Sequence, residues 1–308
     1  LTKHSCFDRV FFASSGAEAN EGAVKLARKH GSKNLNGAFE IITMENSFHG
    51  RTLAMMSATG KKKWENLFEP KVAGFKHVPF NDLNALEDAL SPNTCAIMLE
   101  PIQGEGGVFE VEKNYIQAIR KICNEQKILL IFDEVQTGLG RTGKLFAYEH
   151  YEIEPDMMTL AKGIGGGFPL SALLTKEKWN LFDAGDQGGT YSGQPLGMAV
   201  GSAVLNEILE KKLVENAEIQ GRYIHEKLRA IAGQFNLSHI RGKGLLVAFD
   251  LPQAKGSEVV AAGLANGLLI NSPQPATIRL MPPLIVTNKD VDAMFEILSA
   301  SLTEVFNG

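Results

Sequence analysis

ILLIFDEVQTGLGRTGK, residues 128–144, is the stretch from which the fold is read. Five apolar residues run without a break into Asp133 and Glu134. An apolar run with no polar alternation is the pattern of a strand buried on both faces, as in a parallel sheet covered by helices. A carboxylate at the end of such a strand sits in a partly dry place and is costly unless a donor or cation faces it. Gly138, Gly140 and Gly143 follow, so the next loop is one that a backbone or a ligand can approach closely.

Outward from there, similar apolar runs stand at 10–14, 40–44, 95–100, 157–161 and 170–174. Helical patterns are expected at 17–30, 83–90, 115–126 and 144–151, between several of those runs. Strands alternating with helices predict an α/β fold with a mostly parallel sheet. A long helical pattern covers 195–213, and the character changes near 206. Charged helices, GLLVAFDL (244–251), RLMPPLIV (279–286) and a helix near 290–306 predict a smaller C-terminal α+β domain. The expected division is 1–205 and 206–308. Ligands of open parallel sheets gather at the carboxyl ends of the strands, so the informative residues are expected just after strands.

Composition is that of an ordinary globular chain. Of 308 residues, 44% are hydrophobic and 21% charged, with a net charge of −4 and a pI near 6.0. Nothing marks a nucleic-acid or anionic-membrane surface, and no apolar run approaches the roughly 18 residues of a membrane span. Cys6, Cys95 and Cys123 have neither disulfide parity nor metal-ligand spacing, which predicts a reduced, cytoplasmic setting and no metal. The chain opens with LTKHSCFDR and enters a strand almost at once, so a segment upstream is expected.

Five constellations follow strands. In SSGAEANEGAVKLARKH (14–30), Ser15 and Glu18 form a capping-box pattern. That alone explains a well-started helix; Gly16 and Ala17 also offer N–H groups at a helix N-terminus, where a phosphate can bind. In NSFHGRT (46–52), Phe48, His49 and Arg51 taken singly read as core, satisfied polar group and surface charge. Together they read as a flat face for a ring and a fork for a carboxylate. EPIQGEGGV (100–108) sets Glu100 and Glu105 beside glycines, either a structural turn or a close approach to a ligand. Asp133 is the fourth. The fifth, AKGIGGGFPL (161–170), sets Lys162 before four glycines in five positions, which clears space beside it. Asp133 and Lys162 are separated by about one strand–helix–strand unit, so both are expected on neighbouring strand tips. A lysine able to bond an aldehyde carbon, a carboxylate suited to a protonated pyridine nitrogen, an aromatic cover and a phosphate cradle together point to pyridoxal 5′-phosphate.

SSGAEANEGAVKLAR, SFHGRT, EPIQGEGGV, IFDEVQTGLGRTG, DMMTLAKGIGGGFP, GGTYSGQP and IRLMPPLIV, in this order, resemble the class III (ω-amino acid) aminotransferases. Within that family the likeness leans to its acetylornithine-using members. The resemblance covers essentially the whole chain. It implies a type I pyridoxal-phosphate transferase fold and a homodimer with shared active sites, using amino-acid substrates and 2-oxoglutarate. It implies that Ser15, Gly16 and Ala17 hold the phosphate, that Phe48 and His49 lie at the ring, and that Asp133 pairs with the ring nitrogen. Val135 packs the other face, Gln136 bonds the ring oxygen, and Lys162 bonds the cofactor covalently. Thr190 reaches the phosphate of the partner subunit. Arg51 and Arg279 are carboxylate forks, Glu100 lies at the substrate, and Glu105 pairs with Arg279 when the substrate has no carboxylate for it. The chain departs from the family at Gly189 and at Ser192-Gly193-Gln194-Pro195, which puts one phosphate contact across the dimer in question. Related ω-aminotransferases and a glutamate-1-semialdehyde-type aminomutase use the same apparatus. A non-enzymatic cofactor-binding relative is the third reading, against which the Asp133 and Lys162 pair argues.

Overall fold

The computed structural model describes residues 1–307, which form two compact units. The first comprises 1–101, 111–138 and 146–206. The second takes in 102–110 and 139–145 besides 207–308, two short segments that a single cut near 205 leaves with the first unit.

The first unit holds seven of the strands, numbered in chain order across both units: β1 (Arg9–Ala13), β2 (Glu40–Met44), β3 (Phe75–Val78), β4 (Thr94–Leu99), β7 (Leu129–Asp133), β8 (Met157–Leu160) and β9 (Ser171–Thr175). They lie in the order β1-β9-β8-β7-β4-β2-β3. The pairs β2–β3, β2–β4, β4–β7 and β7–β8 are parallel, and β9 runs antiparallel to both β8 and β1. Every residue of β4, β7, β8 and β9 is buried, as the unbroken apolar runs require. Helices α1 (Gly16–Asn34), α2 (Leu53–Ala58), α3 (Leu83–Ala89) and α4 (Lys113–Gln126) belong to this unit. Helix α1 turns Ala23, Leu26 and Ala27 into a core with Ile41, Met98, Leu129 and Ile131. Each large apolar side chain so buried contributes about 1.5–3 kcal/mol.

The helix expected at 144–151 is not formed; only a 3₁₀ turn, Ala147–His150, is present. The physical reason is that the backbone donors there are already taken. The buried Glu134 carboxylate accepts the N–H groups of Ala147 (2.6 Å) and Tyr148 (2.8 Å), and Glu149 accepts that of Phe146 (2.8 Å). Phe146, Ala147 and Tyr148 are buried in succession rather than on one helical face.

The second unit contains the short hairpin β5 (Ile102–Gln103) and β6 (Phe109–Glu110) and a four-stranded sheet. The sheet runs β10-β11-β13-β12, all antiparallel, from β10 (Ser238–Lys243), β11 (Leu246–Asp250), β12 (Asn271–Gln274) and β13 (Thr277–Leu280). Helix α5 (Pro195–Glu210) spans the boundary between the units; α6 (Leu213–Phe235), α7 (Gly256–Ala265) and α8 (Asn288–Asn307) follow it. Ile224 and Leu228 of α6 and Phe295, Leu298 and Leu302 of α8 share a core with Val247, Phe249, Ile278 and Leu280 of the sheet. No helix among the described residues is long and apolar enough to cross a membrane, and no group of metal-ligating side chains is present among them.

Candidate active site

The parallel pairing brings the carboxyl ends of β2, β4, β7 and β8 to one edge of the sheet. That of β1 lies there too, and β9 begins there because it runs the other way. A cavity of about 450 Å³ opens at that edge, in the range of small-molecule and cofactor sites. Ser15, Gly16 and Ala17 line it at the start of α1. Phe48, His49 and Arg51 reach it after β2, Glu100 after β4, Asp133, Val135 and Gln136 from β7 onward, and Lys162 after β8. Thr190 does not line it and is exposed. Glu105 and Arg279 belong to the second unit.

Asp133 is buried, and its charge is shared among three donors. Its Oδ2 accepts from Asn20 Nδ2 at 2.8 Å and lies 2.8 Å from His49 Nδ1, and its Oδ1 accepts from the Val135 N–H at 3.0 Å. Asn20 is itself fixed: its Oδ1 accepts from Thr159 Oγ1 at 2.6 Å, and its Nδ2 also reaches His49 O at 2.8 Å. Burial pulls His49 toward its neutral form, but the hydrogen bond and charge of Asp133, with Glu100 behind, outweigh it and hold His49 above its ordinary pKa. Asn20 stands inside the SSGAEANEGAVKLAR stretch, but nothing in that stretch singles it out. Its trace in the sequence is a polar residue on the buried face of α1, beside Ala19, Ala23 and Val24.

Glu100, expected at the substrate, lines the cavity and also braces its wall. Its Oε2 accepts the Phe48 N–H at 2.9 Å, and burial pushes its pKa up to about 7. It fixes the backbone that presents Phe48. The Phe48 ring meets Trp64 edge-on at 5.8 Å, and the guanidinium of Arg51 lies 5.7 Å from the Trp64 ring centre. Trp64 was not singled out by the sequence, because it stands 13 residues beyond Arg51 with no motif between them.

The glycine runs have distinct causes. A Cβ on Gly16 would lie 2.9 Å from Val135 Cγ1, so the start of α1 is pressed against the loop after β7. After Lys162, Gly166 and Gly167 have φ of +53° and +110°, which explains two of the four glycines by backbone conformation as well as by clearance. Lys162 itself has φ +47°, a strained setting for a side-chain-bearing residue of the kind found at functional sites. The cap is realised in part: Ser15 Oγ accepts from the Glu18 N–H, but Glu18 Oε2 takes the N–H of Ser14 at 2.9 Å and not that of Ser15, as a strict capping box requires. The first N–H groups of α1 have no intrahelical partner by geometry, and the helix dipole favours an anion there.

In the second unit Arg279 is buried on β13. It faces Glu105 at 3.0 Å, donates to Gly104 O at 2.8 Å, and reaches Asn271 Oδ1 from its Nε at 3.1 Å.

A fixed anion, an ε-amine, an aromatic face and a helix start in one cavity form a donor set that fits pyridoxal 5′-phosphate. The comparisons with known proteins agree. Residues 1–302 match the family described as aminotransferase class-III. An acetylornithine aminotransferase of Caldanaerobacter subterraneus subsp. tengcongensis is 49% identical over 307 residues, covering 99% of this chain and 78% of that protein. Acetylornithine aminotransferase 2 of Bordetella pertussis is 50% identical over 308 residues, with the same shares. Among solved structures, an ornithine aminotransferase from Toxoplasma gondii superposes with a TM-score of 0.92 at 34% identity, covering 98% of this chain and 74% of that one. Its description records partial occupancy of PLP at the active site. The chain belongs to the class-III aminotransferases.

Proposed function

We propose that this chain is a pyridoxal 5′-phosphate-dependent aminotransferase that takes the δ-amine of N2-acetylornithine and passes it to 2-oxoglutarate in arginine biosynthesis. The products are N-acetylglutamate 5-semialdehyde and glutamate. The observation that carries the reading is the meeting of Asp133, Lys162, Phe48 and the start of α1 around one cavity, in a chain half identical to acetylornithine aminotransferases over nearly its whole length. The cofactor, when bound, supplies an electron sink for the bond broken at the substrate's reacting carbon. Asp133, held by Asn20, His49 and the Val135 N–H, supplies the anion that keeps a ring nitrogen protonated. Lys162 holds the cofactor covalently through its ε-amine and then moves a proton at the substrate carbon. The first N–H groups of α1, at Gly16 and Ala17 beside Ser15, hold the phosphate. Phe48 and Val135, which line the cavity, would cover the ring faces, and Gln136 would bond the ring oxygen.

The same reading assigns the carboxylates. Arg51 holds one in both half-reactions. Arg279 takes a second from glutamate, and Glu105 covers Arg279 when the amine donor has none to offer. The active unit is a homodimer in cytoplasm, with Thr190 reaching the partner's phosphate. Absorbance of the holoenzyme tests the activity: N-acetylornithine and glutamate each convert the cofactor to its aminated form in a single turnover, and 2-oxoglutarate reverses both. Conversion by glutamate but not by N-acetylornithine, with ornithine or 4-aminobutyrate active instead, moves the assignment to another ω-amine.

A further inference from the structure

Glu105 stands in the turn of the β5–β6 hairpin, and the backbone of that turn is not one the chain adopts unaided. Gly107 has φ +120° and Val108 φ +62°, the latter a β-branched residue in the left-handed region. Such a conformation persists only where its surroundings over-determine it. Ile102 and Val108 are buried against Leu246 and Ala248 of β11, which fixes the hairpin's base. The tip is fixed by Arg241 of β10. Its Nε donates to Gly107 O at 2.8 Å, its Nη1 to His239 O at 2.7 Å and its Nη2 to Asp250 Oδ1 at 3.0 Å. Its guanidinium lies 4.4 Å from the centre of the Phe109 ring. A Cβ on Gly107 would sit 3.0 Å from Phe109 Cε2 and 3.5 Å from Arg241 Nη2, so the turn fits around the guanidinium. Asp250 is held in turn. Burial alone would raise its pKa, but bonds from Arg241, Thr277 and His239 keep it below its ordinary value.

Asp250 and Thr277 are paired across β11 and β13, and Ala248 and Arg279 are paired two residues along. The Arg241–Asp250–Thr277 chain therefore refers the Glu105 turn to the strand that carries Arg279. We infer that Arg241 is a positioning residue for Glu105: it holds the turn in register with Arg279 through contacts that do not use Arg279. The hairpin's own backbone closes the turn (Val108 N–H to Gln103 O, 2.9 Å); ties from outside it include Arg279 itself, which donates to Gly104 O, and longer bonds from Gln274 to Glu105 O (3.4 Å) and Gly106 O (3.5 Å). Once Arg279 engages a substrate carboxylate, Arg241 is the charged side chain that still holds the tip of the turn at Gly107 O, above a base fixed by Ile102 and Val108.

The inference rests on the Glu105–Arg279 switch proposed above, and its test separates the two. In Arg241→Met holoenzyme, amide exchange at 104–108 quickens while exchange in α1 and β7 is unchanged. The single-turnover rate with N-acetylornithine falls by roughly tenfold more than the rate with glutamate, the factor expected for losing about one hydrogen bond to a charged group. Arg241→Lys, the milder variant, shows the same imbalance to a lesser degree. Unchanged exchange at 104–108 overturns the clamp. Equal losses for both substrates in Arg241→Met, where Glu105→Gln discriminates between them, overturn the positioning role. Equal losses in Glu105→Gln itself remove the switch, and the inference with it.

Discussion

Asp133 in the first unit and Glu105 in the second are both carboxylates set against a partner, but they are held in opposite ways. Asp133 has 3% of its side chain exposed and divides its charge among Asn20, His49 and the Val135 N–H. None of those donors moves without disturbing α1, the loop after β2 or the end of β7. Glu105 is 32% exposed, stands on a hairpin turn, and faces the Arg279 guanidinium at 3.0 Å. A charge that has to stay is enclosed and distributed over short, fixed donors. Glu105, which on the switch proposed above has to come and go, is left about a third in water, where separating it from its partner costs less.

The largest expected effect tests what the fixed charge serves. In Lys162→Ala the protein still binds cofactor, and turnover falls by about 10⁴ because the proton transfer loses its acid and base. Borohydride treatment of the unmutated holoenzyme leaves a phosphopyridoxyl mass on Lys162; the same mass on another lysine breaks the assignment. Next, Asp133→Asn keeps the shape and loses the charge, so turnover falls by roughly 10²–10³ with the circular-dichroism spectrum unchanged. Near-normal turnover there means that the enclosed carboxylate is structural only. Glu105→Gln is milder and one-sided. Arg279 is left uncovered only when the donor lacks a second carboxylate, so the N-acetylornithine half-reaction slows by roughly tenfold more than the glutamate half-reaction. Arg279→Ala reverses the preference.

The smallest effect on turnover is expected at Glu100, where the readout is stability. Burial raises its pKa from 4.5 to about 7, so between those values the folded state keeps a proton that the unfolded state has lost. Its contribution to stability is therefore greatest below about pH 4.5 and declines as pH rises to about 7. Glu100→Gln still accepts the Phe48 N–H and removes that slope, a change of at most about 3 kcal/mol across the window in denaturant titrations of the cofactor-free protein. An unaltered slope places the titration elsewhere in the cavity.

Much of this was legible in the residues. Unbroken apolar runs ending in Asp133 and just before Lys162 marked neighbouring parallel strands, and β7 and β8 do pair in parallel, with Asp133 opposite Thr159. Strand β3 was missed because FKHV is only partly buried, at the sheet edge, and lacks the apolar run that signals a buried strand. The turn at 147–150 was misread because helical spacing says nothing of Glu134, which takes the donors a helix would need. Asn20 and Arg241 were not singled out because each acts through partners that are distant in sequence: Asp133 and Thr159 for one, Gly107 and Asp250 for the other.

By itself, then, the sequence determined which residues can do chemistry and at which ends of which strands they stand, because side-chain type and apolar periodicity are local properties. Only the tertiary structure decided which carboxylate is enclosed and which is left partly exposed. It did so by enclosing Asp133 between Asn20 and His49 and leaving Glu105 32% exposed opposite Arg279, since enclosure arises from segments that meet only when the chain folds.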